Sequence, residues 1–127
     1  MFKKSKKEAT VAAQDPDLMT PQTPEEYANR GWIFYARQNY NKAQSDFEEA
    51  IRLDPDLLDA IYALGLTYKG CGQSMKAVEC FKKAAEASEY LDNHERGRMV
   101  RRLAHGHIHE IETGDWNLEK ETWQKKS

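Results

Sequence analysis

Two cysteines in 127 residues are too few for a disulfide framework. Cys71 and Cys80 also lack the spacing of a zinc site, so both read as reduced thiols. No apolar run approaches the roughly 20 residues that cross a bilayer, and mean hydropathy is -0.89. Charge of one sign is missing too: 19 Lys and Arg face 21 Asp and Glu, a net charge of -2, which gives no overall nucleic-acid signature. The start, Met1-Phe2-Lys3-Lys4-Ser5-Lys6-Lys7, is basic but has no apolar stretch behind it, so it does not read as a secretory signal. Phe2 excludes N-myristoylation, which needs glycine there. A cytoplasmic location is the expectation. The sequence shows no nucleophile-base set, glycine-rich phosphate loop or paired buried carboxylates, so no catalytic residue, cofactor or enzymatic activity is expected.

What is there is repetition. Lys42-Ala43-x-x-x-Phe47-x-x-Ala50 returns 34 residues later as Lys76-Ala77-x-x-x-Phe81-x-x-Ala84. The same offset pairs Gly31 with Gly65 and Phe34 with Tyr68. A fixed period of this length marks an array of stacked helical units, which usually presents a surface to a partner. Ala43, Phe47, Ala50 and Ile51 share one helical face, as do Ala77, Phe81, Ala84 and Ala85. Small residues alternate with one large aromatic, so two helices can approach closely and lock. Gly31 and Gly65 stand inside helical patterns, where each costs roughly 1 kcal/mol relative to alanine. That cost makes sense if Phe47 and Phe81 press on the backbone, and both rings are expected to be buried in equivalent surroundings.

These residues resemble the tetratricopeptide repeat, a helix-turn-helix unit of this length. The first repeat supplies Tyr27, Gly31, Phe34, Tyr40, Ala43, Phe47, Ala50 and Pro55 to the family's pattern. The second supplies Ile61, Leu64, Gly65, Tyr68, Gly72, Ala77, Phe81 and Ala84. Four positions depart: Arg30 stands where the family prefers leucine, Gln38 where it prefers glycine, Ser74 where an aromatic is usual, and Glu89 where proline would close the second repeat. The resemblance implies an all-α helix-turn-helix solenoid. Repeats at 24–57 and 58–91 would lie within a domain spanning 23–127, closed by a degenerate third repeat or capping helices at about 93–124.

Residues 1–22 are polar and aperiodic and are expected to be a disordered arm. Order should begin sharply at Thr23, which reads as an N-cap completed by Glu26, with Pro24 in the first turn. Helices are expected to reach about residue 38 and about residue 53, then to span about 57–69 and 74–88. A longer helix over about 93–112 would carry an apolar stripe of Met99, Val100, Leu103, His107, Ile108 and Ile111. Aligning Met99, Val100 and Leu103 with Leu64, Gly65 and Tyr68 needs a 35-residue step. Thr113-Gly114-Asp115 reads as a turn into a short last helix at 116–124. There Trp116 and Trp123 share a face that would close the stack or, if exposed, serve for association.

By the resemblance, the first helix of each repeat lines a concave groove. The residues it would place there include Asn29, Trp32 and Tyr35 from the first repeat and Tyr62, Leu66 and Lys69 from the second. Arg98 and Arg101 would follow from the irregular third. Aromatics and arginines are the usual anchors of an interface, so this set implies a protein or peptide segment with an apolar part and an acidic part. Packing of Trp32 under the N-terminal arm is the competing explanation for that aromatic. Some family members clamp the carboxylates of heat-shock chaperone tails, but Ala28, Trp32 and Ala63 occupy three of the clamp's donor positions, and a clamp of charge-assisted hydrogen bonds fails without them. The expected function is a non-enzymatic adaptor or scaffold. One alternative is a structural module, a homo-oligomer stacking through its terminal repeats. Another is a metal-responsive protein using His105 and His109, four apart on a helix, with Glu112 nearby; no fixed third ligand is evident, so no metal residue is assigned. Lys3, Lys4, Lys6 and Lys7 contribute only about 1 kcal/mol each at an anionic surface, too little for stable membrane binding.

Overall fold

The computed structural model describes residues 15–91 and 94–115. Among them are five α-helices and no strand: α1 (Pro24–Ala36), α2 (Tyr40–Leu53), α3 (Leu58–Gly70), α4 (Ser74–Ala87) and α5 (His94–Thr113). Short 3-10 turns lie at Pro16–Leu18 and Ser88–Tyr90. Both ends of α1 recur in α3, and both ends of α2 in α4, at a shift of 34 residues. The sequence period is therefore a structural one. Successive helices pack against each other, and α1 also touches α3.

Two interlocks of glycine with phenylalanine hold the repeats. Phe47 and Phe81 are both 0% exposed. A Cβ added to Gly31 would stand 2.7 Å from the Phe47 ring, and one added to Gly65 would stand 2.8 Å from the Phe81 ring. No side chain fits there, which explains why glycine occupies two helix interiors despite its poor propensity. Alanines at 0% exposure share α2 and α4 with these rings, Ala43 and Ala50 in one repeat and Ala77 and Ala84 in the next. Tyr40 makes a further joint between repeats: a Cβ on Gly70 would meet its ring at 2.8 Å.

The helix ends follow from local chemistry. Thr23 and Glu26 form the expected capping box on α1, with Pro24 in the first turn. Asn39 caps α2 by accepting the Lys42 N–H at 3.4 Å. The first helix of each repeat ends in the same left-handed turn, Gln38 at φ 62° and Gly72 at φ 83°. The N–H groups of Asn39 and Gln73 then reach back to the Phe34 and Tyr68 carbonyls at 2.9 and 2.8 Å. Gly114, at φ 81°, ends α5 in the expected turn.

Two expectations need correction. Order does not begin at Thr23. Pro16 is fully buried in a 3-10 turn, the Met19 carbonyl accepts from the Arg30 guanidinium at 3.2 Å, and Lys42 reaches Asp17 at 3.2 Å. Apolar periodicity does not report contacts made by one proline and backbone carbonyls. The apolar stripe of α5 is also displaced. Met99 is 56% exposed, and the buried face is Gly97, Val100, Ala104 and Ile108, with Gly106. A Cβ on Gly97 would strike the Ser88 carbonyl oxygen at 2.6 Å, so α5 docks through small residues that a hydropathy stripe passes over. Leu64 is buried where its expected counterpart Met99 is not, whereas Val100 is buried as Gly65 is. The remaining arm, residues 1–14, and the expected last helix with Trp116 and Trp123 lie outside the described residues.

Candidate functional site

The helices α1, α3 and α5 form one layer, and α2 and α4 the other. Side chains fasten α3 to α5 along that first layer: Asp59 pairs with Arg96, and Lys69 with Glu110. Tyr62 Oη lies 2.9 Å from His107 Nε2, and Lys69 Nζ lies 3.0 Å from His107 Nδ1. An ammonium donates only, so Nδ1 accepts and the imidazole is neutral with its proton on Nε2, donating to Tyr62. The ring stacks on Phe81 at 4.6 Å with a 9° interplanar angle. Burial first and the Lys69 ammonium second push His107 down to about 4, against the opposing pull of Glu110.

Beside this seam runs a row of half-buried aromatics. Trp32 meets Phe47 edge-on at 5.4 Å and Tyr35 at 5.8 Å, and Tyr35 meets Tyr40 at 5.6 Å. Tyr62 meets Phe81 at 5.7 Å. Leu66, half-buried, packs against the same core. Trp32 and Tyr35 are thus not surplus to the core, as the sequence suggests; each packs against it and is half-buried. Asn29 and Ala36 on α1 are exposed, three residues before and four after Trp32, hence beside it on the helix surface. Desolvation raises the pKa of Tyr35 and of Tyr62, so both hydroxyls stay protonated over the ordinary pH range.

The expected basic end of this surface is not assembled. Lys69 is already engaged by Glu110 and His107. Arg101 lines the cleft between α4 and α5 with Lys82, Glu86, Glu89 and His105. Arg98 is exposed, and at about 100° per residue it sits about 200° around α5 from Arg96, which faces α3. Sequence reasoning missed Arg96 and Glu110, whose partners lie 37 and 41 residues away with no local signal. It counted His107 in the apolar stripe of α5 but named no partner for it; the ring packs between Tyr62 on α3 and Phe81 on α4. Among the described residues no three His, Cys, Asp or Glu side chains converge on a metal position. Burial pushes the Cys80 thiol up to about 11, the opposite of what a nucleophile needs. No helix among the described residues is long and apolar enough to cross a membrane.

At the other end of the array Arg30 makes a forked pair with Asp46, Nε to Oδ2 at 2.9 Å and Nη2 to Oδ1 at 2.8 Å. This explains one departure from the repeat pattern, since the guanidinium ties α1, α2 and the Met19 carbonyl together where leucine would only pack. The buried Asp46 is its complement.

Residues 24–57 and 47–79 each match a family model described as Tetratricopeptide repeat. Among curated proteins the chain is 30% identical over 122 residues to "Superkiller complex protein 3" of Mus musculus, a match covering 92% of this chain and 7% of that protein. It is 28% identical over 123 residues to the Homo sapiens protein of the same name, covering 93% of this chain and 7% of that protein. The chain thus spans about 7% of the length of these relatives. No solved structure matches it.

Proposed function

Because this chain is a tetratricopeptide-repeat protein, we propose that it works as a non-enzymatic, cytoplasmic adaptor whose α1–α3–α5 face holds a segment of a partner protein. One observation supports the reading: Trp32 and Tyr35 on α1 and Tyr62 and Leu66 on α3 are each packed against the core and each only half-buried. Such side chains lose little entropy on binding and gain apolar contact, which is how interface hot spots work. The partner segment is apolar or aromatic along this row, with Asn29 at its edge for polar contact. We assign the segment no acidic end, since Lys69 is paired with Glu110 and Arg101 lines the cleft between α4 and α5. The relatives are named as a protein of a complex, which agrees with an interaction module.

The test is photo-crosslinking from an exposed position that leaves the core alone. A benzophenone amino acid at Ala36, one turn from Trp32, is expected to capture a discrete protein in native extract. The same group at Glu86, on the outer layer, is expected not to capture it. Equal capture from both positions would contradict the reading. Capture of a second copy of the same chain would favour the self-stacking module instead.

A further inference from the structure

The two repeats differ at one joint. In the first, the Tyr40 ring fills the space between the start of α2 and the end of α3, resting on Gly70 and against Tyr35. The position 34 residues on is Ser74, at the start of α4, where the neighbouring element is the end of α5. A cavity of about 430 Å³ opens there, walled by Ser74, Met75, Val78 and Ile111. The internal copies of two wall residues are polar: Asn41 corresponds to Met75 and Gln44 to Val78. In the first repeat Gln44 is satisfied by Glu48 at 3.1 Å. The second repeat has thus lost its plugging ring and gained apolar walls at the same place. Met75 is 88% exposed there. Glu79, Glu112 and Lys82 complete the rim, an excess of one negative charge.

We propose that this seam between α4 and α5 is a second binding site, taking one aromatic side chain of a partner protein segment with a basic residue beside it. Tyr40 is the internal template for the aromatic, and the acidic rim sets the charge of its neighbour. The site is lined from α4 and α5, whereas the aromatic row stands on α1 and α3.

The test uses the whole chain with 13C-labelled methyl groups. Two probes are titrated: p-cresol, which has the tyrosine side chain alone, and the peptide acetyl-Lys-Tyr-Lys-amide. Saturable shifts are expected at the Val78 and Ile111 methyls with both, without shifts at Leu66, and with the peptide binding at least fivefold more tightly. Ser74→Tyr, which restores the plug of the first repeat, is expected to abolish these shifts. Val78→Glu, which charges the wall, is expected to abolish the p-cresol shift at the remaining Ile111 methyl, and serves if the tyrosine variant fails to fold. Undiminished shifts in both variants would overturn the proposal, as would no response at millimolar probe. A third contrary result is a shift of the Val78 and Ile111 methyls on Trp116→Ala or Trp123→Ala without any response to the probes, because the chain's own tryptophans would then be the occupant.

Discussion

At the scale of single residues, Gln38 and Gly72 are the same turn made with different side chains. Both sit in the left-handed region, where a non-glycine residue costs roughly 1–2 kcal/mol. Gln38→Gly is therefore expected to stabilise the protein by about 1 kcal/mol after the entropy that glycine adds to the unfolded chain, and Gly72→Ala to destabilise it by a similar amount. Urea unfolding midpoints check both signs. Gly31 and Gly65 pull the other way: alanine there gains helix propensity but drives a methyl into Phe47 or Phe81, with a net cost of roughly 1–3 kcal/mol. These positions were legible in the sequence because the 34-residue period names them. His107 was not, because nothing local announces partners on α3 and α4. Its lowered pKa carries a pH signature. The unfolded imidazole titrates near 6.5 and the folded one near 4. Its contribution is therefore complete above 6.5 and is lost as pH falls toward 4. His105, lowered by burial and Arg101, acts in the same direction. Unfolding of the wild type at about pH 7.5 and about pH 5 should show this loss of stability, and His107→Gln should show less of it.

At the scale of elements, the helices of the two repeats were readable within a residue or two, since caps, period and amphipathic faces all agree on them. The arm and α5 were readable only in part. Their contacts use a proline, backbone carbonyls, glycines and an ion pair, none of which has a hydrophobic period. The arm is now a test of its own. A chain starting at Thr23 would be unaffected if residues 15–22 were disordered. Their packing instead predicts a loss of roughly 1–3 kcal/mol, because Arg30 loses the Met19 carbonyl and the Pro16 contact is exposed. Asp46→Ala should cost at least as much, since it leaves the part-buried guanidinium without its carboxylate. Thermal melts of the two variants separate these effects. The Phe47 and Phe81 interlocks should behave as a matched pair: alanine at either costs roughly 3–5 kcal/mol. A well-folded Phe81→Ala protein with an unchanged melting temperature would break the equivalence of the repeats.

For the whole molecule, stacking two repeats with α5 buries one face of each helix and leaves the α1–α3–α5 surface for a partner. The aromatic part of that surface was visible in the sequence, because groove positions follow from the repeat. Its charge was not, because pairing of Lys69 with Glu110 depends on how α5 docks. Self-stacking predicts a mass that rises with concentration, whereas an adaptor stays at one mass; light scattering over a wide concentration range separates them. The most direct test of the account is calorimetric affinity for the protein captured from Ala36, measured with wild type, Trp32→Ala and Ala36→Arg. The aromatic row predicts weakening by about 2 kcal/mol or more, roughly thirtyfold, for Trp32→Ala. A comparable loss is expected for Ala36→Arg, which touches no core residue and so separates lost contact from lost stability. Wild-type affinity in both folded variants would contradict the claim that this face is the binding site.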